Sequence, residues 1–114
     1  MKNRNITILA KIVDEATTVA DMLGGIDESA FLSSEEKKRA VCMTFINIGE
    51  LVKNLDADFR AMHAHIPWKR IAGLRDIAAH GYFTLSMNDV RMTAMNALPH
   101  FASQIKEILN AGVE

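Results

Sequence analysis

The sequence predicts an all-α domain, and three observations support this fold class. Apolar residues recur every three or four positions along most of the chain, which is the period of an amphipathic helix. Residues typical of helix starts and stops separate these apolar stretches. No segment alternates apolar and polar residues, and no Asn-Gly or Asp-Gly pair marks a β-hairpin. We therefore expect a single domain, residues 1–114, folded as an antiparallel four-helix bundle with a kinked last helix.

The first predicted helix is defined by an apolar stripe and a glycine stop. The stripe extends from Ile6 to Leu23 with steps of three and four residues. Gly24 and Gly25 follow it directly, and glycine is the residue most typical of a helix C-terminus. The helix is therefore expected to end at this pair.

The second predicted helix follows a polar segment that has room for one short helical turn at 28–31. Ser33 and Glu36 have the spacing of a capping box, in which each side chain bonds the backbone amide of the other residue. This motif predicts a helix that begins near Ser34. Its apolar stripe continues to about Met62.

The third predicted helix begins at a proline. Pro67 suits the first turn of a helix, where its missing amide proton costs no hydrogen bond. We expect the helix to reach about Ala79, with Gly81 at or just past its end. On an ideal wheel of 100° per residue, Arg75 falls within the apolar side of this helix. The apolar side also contains Trp68, Ile71, Leu74 and Ala78.

A guanidinium on an apolar side needs an explanation. Burying Arg75 unpaired would cost several kcal/mol. It should therefore pair with an acid, face a partner molecule or line a cleft, and the sequence leaves these three possibilities open. Glu50, which interrupts the apolar stripe of the second helix, is the candidate acid.

The fourth predicted helix contains an internal proline. Ser86 followed by Asp89 predicts its start. Pro99 lies within the apolar pattern that follows, and proline removes a helical hydrogen bond and clashes with the preceding turn. We expect a kink or a break near Ala97.

The bulk composition excludes several kinds of protein. The net charge is −1, so no global basic field indicates nucleic-acid binding, and a polyanion would have to be held by a local patch. We expect no signal peptide and no membrane span, because no apolar run approaches about 20 residues. The single Cys42 cannot form an internal disulfide and is interpreted as a buried thiol in a reducing cytoplasm.

The segment 75–82 contains the candidate functional site. Arg75 is followed after four residues by His80 and after one more by Tyr82, in a chain with one tyrosine and four histidines. A guanidinium can bind phosphate oxygens through its planar fork, and an imidazole can donate or accept a proton near neutral pH. RNA cleavage needs a base for the 2′-hydroxyl, an acid for the leaving 5′-oxygen and a cation for the transition state. This set of groups needs no metal.

Arg75 and His80 do not face the same way on a regular helix, because five residues turn about 140°. They converge only if the helix end distorts or if a second subunit supplies the partner. A two-fold dimer would gather two arginines into one positive cleft. Structural interpretations also stay open, since His80 can cap a helix, Tyr82 can be a core ring and Arg75 can be half of an ion pair.

The sequence gives little support for a metal site. His63 and His65 are two residues apart, so they point about 200° apart on a helix. No cysteine pair or HExxH motif accompanies them. The basic run of Lys37, Lys38 and Arg39 is interpreted as a solvated helix face.

The motif and its flanks resemble the HepT-like branch of the HEPN superfamily. The stretch Pro-Trp-Lys-Arg-Ile-Ala-Gly-Leu at 67–74 precedes the motif, and Phe83 follows it. The segment Asn-Ile-Gly-Glu at 47–50 resembles the second-helix signature of this branch, and Leu-Pro at 98–99 resembles its final helix. The similarity spans nearly the whole chain.

The resemblance implies a small helical homodimer that, in many members, is a metal-independent endoribonuclease and the toxin of a type VII-like toxin–antitoxin pair. It implies that Arg75 and His80 are the catalytic pair and that Asp76 supports one of them. Tyr82 would accept AMP from the antitoxin, a minimal nucleotidyltransferase of the MntA type, and this AMPylation would silence the enzyme. Glu50 matches a family position without an implied catalytic role.

The partners implied by the resemblance are an RNA substrate (tRNA or mRNA), the antitoxin and a second copy of the chain. DNA, a membrane and a cofactor are not implied. Two other interpretations remain open. One is a non-enzymatic helical partner subunit of a minimal nucleotidyltransferase, and the other is a structural bundle in which Arg75 simply pairs with Glu50.

Overall fold

A computed structural model describes residues 3–84 and 86–112, which form helices joined by short turns and contain no strand. The predicted all-α fold class is confirmed. The four-helix bundle and the dimer stay predictions. The helices, in chain order, are α1 (Asn3–Leu23), α2 (Glu28–Ser33), α3 (Glu35–Lys53), α4 (Ala57–Met62), α5 (Trp68–Ala72), α6 (Leu74–Thr84), α7 (Met87–Met95) and α8 (Ala97–Asn110).

The end of α1 is the one the sequence predicts. The amide of Gly24 donates to the carbonyl of Ala20 at 2.9 Å. Gly25 has a φ of +80°, a conformation that side-chain-bearing residues rarely adopt. The short helical turn expected next is present as α2. The carboxylate of Asp27 caps it by accepting the amide of Ala30 at 2.8 Å.

The predicted capping box of Ser33 and Glu36 is wrong, and a simple N-cap at the next residue replaces it. Ser34, not Ser33, caps α3, and its hydroxyl accepts the amide of Lys37 at 3.1 Å. Ser33 is still part of α2, so it lacks the extended backbone that an N-cap residue needs.

The second predicted helix is also two helices, since α3 ends at Lys53 and α4 begins at Ala57. Asp56 lies in the turn between them and accepts hydrogen bonds from Arg4 and Asn5 of α1, each at 3.3 Å. This contact to the start of α1 accounts for the break, although the apolar period continues through it.

The prediction of the third helix is wrong in two respects, since the helix is interrupted and it ends later than expected. Gly73 separates α5 from α6, and α6 continues through Gly81 to Thr84. A Cβ atom at Gly81 would lie 2.6 Å from Cγ2 of Val90 and 3.2 Å from the carbonyl oxygen of Ser86. The glycine therefore allows α7 to pack closely against α6, and it does not stop the helix.

The predicted break in the last helix is confirmed. Asn96 separates α7 from α8, one residue before the expected position at Ala97. Pro99 lies in the first turn of α8, where a proline costs no helical hydrogen bond.

The core lies between α1, α3, α6, α7 and α8, with α3 and α6 forming its most extensive contact. α3 packs against α1 and α6, α7 packs against α6 and α8, and α8 packs against α1. None of the helices in the described parts of the chain is both long enough and apolar enough to cross a membrane. The largest fully buried side chains are Phe31, Phe45, Leu9, Ile12, Ile48, Ile66, Ile71, Leu74, Leu98 and Ile105.

Candidate functional site

The helix α6 carries all the predicted site residues except Glu50. Leu74 and Ala78 are fully buried and fix the face of α6 that packs inward. Arg75, Asp76 and His80 are exposed. The site is therefore a set of side chains displayed along the surface of one helix.

The expectation that Arg75 lies within the apolar side of its helix is wrong. Its side chain is 52 % exposed. Ile71, Leu74 and Ala78 are buried on both sides of the break at Gly73, so the apolar side predicted by the wheel is retained, and the guanidinium of Arg75 extends beyond it. Arg75 then lies at the edge of the buried face, where it needs no full compensation for burial.

Arg75 forms an ion pair with the candidate acid. Its Nη1 lies 3.2 Å from Oε2 of Glu50, and Nζ of Lys53 lies 3.6 Å from the same oxygen. About half of each side chain of the Arg75–Glu50 pair is exposed, at 52 % and 51 %. Such surface pairs contribute about 0–1 kcal/mol. The contact therefore orients the guanidinium but holds it weakly.

Gly49 brings Arg75 close to α3. A Cβ atom at this position would lie 2.9 Å from the carbonyl oxygen of Ala72 and 3.1 Å from Cβ of Arg75. Backbone atoms cannot move away as a flexible side-chain end can. The glycine thus permits the close approach of α6, and the adjacent Glu50 receives the guanidinium.

His80 lies on the side of α6 that faces α7. It lines a shallow pocket of about 290 Å³ between α6 and α7, together with Asp76, Ile77, Gly81, Asp89 and Thr93. Asp76 and His80 are four residues apart on one helix and so share a face. His80 is not at a helix C-terminus, as the sequence had suggested, because α6 continues to Thr84.

The structure does not bring Arg75 and His80 together within one chain. Arg75 turns towards α3, where it contacts Glu50, while His80 lines the pocket on the α7 side of α6. This is the divergence that the helical spacing predicts. The side chain of Phe83, which follows the motif in sequence, lies outside the described residues.

Tyr82 lies half-buried against the start of α3. Its hydroxyl donates to Oε2 of Glu35 at 3.4 Å, and the guanidinium of Arg39 lies 5.3 Å from the centre of its ring. Nε of Arg39 donates to the same oxygen of Glu35 at 2.9 Å. Nζ of Lys38 lies 3.4 Å from Oε1. The phenol therefore has a charged environment, not a purely apolar one.

The charges around Glu35 keep it ionised. Partial burial acts to raise the pKa of this carboxyl group. The hydrogen bond and charge of Lys38, followed by those of Arg39, more than offset that effect and hold the pKa below its ordinary value.

Sequence reasoning missed Glu35 and Arg39. The basic run at 37–39 was interpreted as a solvated face, although the four-residue spacing of Glu35 and Arg39 is typical of a helical ion pair. Their approach to Tyr82 joins positions 47 residues apart, and no local pattern indicates it.

Of the two neighbouring histidines, His63 packs in the interior against an aromatic ring. The ring centre of His63 lies 4.6 Å from that of Phe59, and His63 is buried. Burial, and secondly the charge of His65, lowers the pKa of His63. Within the described residues, no three His, Cys, Asp or Glu side chains are grouped so that they could hold a metal ion.

The fold and the site together define a class of protein: an all-helical domain that displays arginine, histidine and tyrosine along one helix. Comparison with known proteins identifies the family. The chain belongs to the HepT-like ribonuclease family. The sequence model of that family, "Ribonuclease HepT-like", matches residues 12–108, which include the whole of the candidate site.

Individual relatives cover nearly the same span. The chain is 36 % identical over 101 residues to "Putative RNase TTE0752" of Caldanaerobacter subterraneus subsp. tengcongensis, which is 89 % of this chain and 90 % of the relative. It is 31 % identical over 101 residues to "Putative RNase MJ0127" of Methanocaldococcus jannaschii, covering 89 % and 84 % of the two chains. It is 26 % identical over 108 residues to "Probable ribonuclease HepT" of Thermococcus cleftensis, covering 95 % and 98 %. No solved structure gives a significant match.

Proposed function

We propose that this protein is a metal-independent endoribonuclease and the toxin of a type VII-like toxin–antitoxin pair, acting on tRNA or mRNA in the cytoplasm. Arg75 and His80 are its catalytic pair, and Asp76 supports His80. A homodimer completes the site. The observation that carries the proposal is a motif on α6 that lies inside a HepT-like ribonuclease match covering residues 12–108.

A dimer would bring together the arginine and the histidine, which diverge within one chain. Arg75 and His80 of a single α6 face different neighbours, so they cannot hold one phosphate between them. A two-fold arrangement with the two α6 helices side by side brings the arginine of each copy towards the histidine of the other. The guanidinium then stabilises charge on the phosphate, and the imidazole transfers protons.

Asp76 has a position suited to a supporting role. It shares the lining of one pocket with His80 and lies one turn before it on α6. A carboxylate beside an imidazole can orient the ring and stabilise its cationic form.

Tyr82 is the proposed acceptor of AMP from a cognate nucleotidyltransferase of the MntA type. It lies on the same edge of α6 as Arg75, two turns further along. Adding AMP there introduces a bulky, negatively charged nucleotide that obstructs this edge of α6 and repels a substrate phosphate. The modification therefore silences the ribonuclease without unfolding it.

The test is RNA cleavage by the purified protein in the presence of a chelator, with tRNA and mRNA as substrates. Arg75→Ala and His80→Ala should each reduce cleavage by roughly 10²-fold or more. Lys69→Ala and His100→Ala are matched controls, because both side chains are exposed and lie on α5 and α8, outside the motif on α6. Cleavage that survives both site substitutions would show that the assignment is wrong.

Mixing the two inactive variants tests the composite site. In a mixed dimer, the arginine of one chain meets the histidine of the other at one of the two sites. Random reassortment should therefore restore about one quarter of wild-type activity. If the wild type is active and the mixture is not, each chain contains its own complete site.

A second candidate function is favoured by one observation. Arg75 already has an acid partner in its own chain, as expected of a non-enzymatic helical partner subunit of a minimal nucleotidyltransferase. A wild-type protein that cleaves no RNA, forms a tight complex with the nucleotidyltransferase and leaves growth unaffected on expression would support this alternative.

A further inference from the structure

Resting on the proposed acceptor role of Tyr82, we propose that Glu35 and Arg39 form an AMP-acceptor site around its hydroxyl. Glu35 orients the phenol and receives its proton, and Arg39 binds the phosphate as it is transferred. The comparisons assign no role to either residue. Both lie in the first turns of α3, on the helix that faces α6.

Two contacts with α3 orient the phenol of Tyr82. Oε2 of Glu35 accepts from the Tyr82 hydroxyl at 3.4 Å, so the hydroxyl proton points towards α3. The lone pairs of that oxygen are then directed away from Glu35. The guanidinium of Arg39, 5.3 Å from the ring centre, supplies a positive charge beside the ring. A nucleophile in one orientation next to a cation is the arrangement that phosphoryl-type transfer requires.

The carboxylate itself is held in place. Its Oε1 lies 3.4 Å from Nζ of Lys38, and its Oε2 accepts from Nε of Arg39 at 2.9 Å. These contacts come from residues three and four positions further along α3, so the helix orients the whole group. Glu35 is therefore prepositioned for Tyr82 before any transferase binds.

The chemical step is balanced with a nucleoside triphosphate, ATP, as co-reactant. A bond forms between the Tyr82 oxygen and the α-phosphorus, and the bond from that phosphorus to the oxygen bridging to the β-phosphate breaks. Pyrophosphate leaves. The phenolic proton passes to the carboxylate of Glu35 and from there to water.

Once Tyr82 carries AMP, its hydrogen bond to Glu35 cannot form. The ester oxygen of Tyr82 has no proton to donate, and the new phosphodiester carries a negative charge close to the carboxylate of Glu35. Arg39 is the cation adjacent to both groups. It therefore moves from pairing with Glu35 alone to bridging two anions, which holds the AMP group over this end of the site.

The experiment measures AMP transfer from ATP by a minimal nucleotidyltransferase that modifies the wild-type protein, followed by intact mass. Glu35→Gln keeps the shape of the side chain and removes the charge. Its matched control is Glu36→Gln, which makes the same change at the adjacent exposed residue. Arg39→Ala and Arg39→Lys form a second pair, and Tyr82→Phe verifies the acceptor. Circular dichroism and thermal unfolding establish that each variant is folded.

We expect Glu35→Gln to lower kcat for transfer by roughly 10²-fold, the lower end of the range for a general base, because the phenol donates to this carboxylate at 3.4 Å. The KM for the acceptor protein should change less than about twofold, since the substitution acts on the reacting oxygen and not on docking. Arg39→Ala should also slow transfer, and Arg39→Lys should restore part of the rate.

The outcomes separate the two proposals. If Glu35→Gln and Arg39→Ala accept AMP at the rate of Glu36→Gln, the acceptor site is refuted while the role of Tyr82 stands. A rise in KM with kcat unchanged also refutes it, because the residues would then only contact the transferase. If the wild type accepts no AMP, or Tyr82→Phe accepts it equally well, the proposed regulation fails and the acceptor site fails with it.

Discussion

The substitution Gly81→Ala tests the packing of α6 against α7. It destabilises the protein if the close approach of the helices governs this position, and it stabilises the protein if helix propensity does. A Cβ atom at Gly81 would lie 2.6 Å from Cγ2 of Val90, well inside the 3.5–4.0 Å at which carbon atoms attract each other. The carbonyl oxygen of Ser86, at 3.2 Å, limits escape on the other side. Overpacking of this kind costs about 1–3 kcal/mol.

The helical location of Gly81 opposes that cost. Replacing glycine by alanine inside a helix stabilises it by about 0.8–1.0 kcal/mol. Because one of the two crowding atoms belongs to the backbone, we place the steric cost in the upper part of its range. Gly81→Ala should then lower the free energy of unfolding by about 1–2 kcal/mol.

Urea denaturation followed by circular dichroism measures this change, and Val90→Ala identifies its cause. Val90 is fully buried, so Val90→Ala should be destabilising by itself. In the double variant, however, the new Cβ atom occupies the space left by Cγ2, and the combined loss should be smaller than the sum of the single losses by about 1 kcal/mol or more. A stabilising Gly81→Ala, or strictly additive losses, would refute the close approach of α6 and α7.

Two further predictions follow from buried titratable groups. Burial, and then the charge of His65, lowers the pKa of His63, so below about pH 6.5 the unfolded chain binds a proton that the native protein excludes. Stability should therefore fall as the pH is lowered from about 7.5 through about 6.5, and His63→Phe should flatten this slope in urea titrations; an unchanged slope would contradict it. Burial, and then the charge of Glu35, raises the pKa of Cys42, so the native thiol should react with a disulfide reagent at least roughly tenfold more slowly than in the unfolded chain. Equal rates would show that Cys42 is accessible.

The sequence predicts those helix boundaries that local chemistry controls. Gly25 ends α1 through its positive φ, and Pro99 requires the start of a new helix, so both effects are visible in a short window. The apolar period continues across the breaks near Asp56 and at Gly73, so it conceals both of them, even though a glycine occupies the second. At Asp56 the cause is a contact with Asn5, 51 residues away.

The same division holds for the candidate site. The motif of Arg75, His80 and Tyr82 can be recognised from its spacing in the sequence. Glu50 can be predicted as the acid because it interrupts an apolar stripe. The exposure of Arg75 could not be predicted from the sequence, since it depends on how its side chain extends past the buried edge of α6 to reach Glu50 on α3. The contact of Glu35 with Tyr82 cannot be predicted from helical periodicity, because it depends on how α3 and α6 pack.

The ion pair of Arg75 is compatible with a phosphate-binding role because it is weak and because it is shared. A half-exposed pair contributes no more than about 1 kcal/mol, which is about a fivefold bias in an equilibrium. When Arg75 leaves, Glu50 keeps Lys53 at 3.6 Å and does not become an isolated charge. A phosphate offers the guanidinium two parallel charge-assisted hydrogen bonds, each about twice as strong as a neutral one. Under the proposed function, Glu50 is a temporary partner of the guanidinium that RNA displaces.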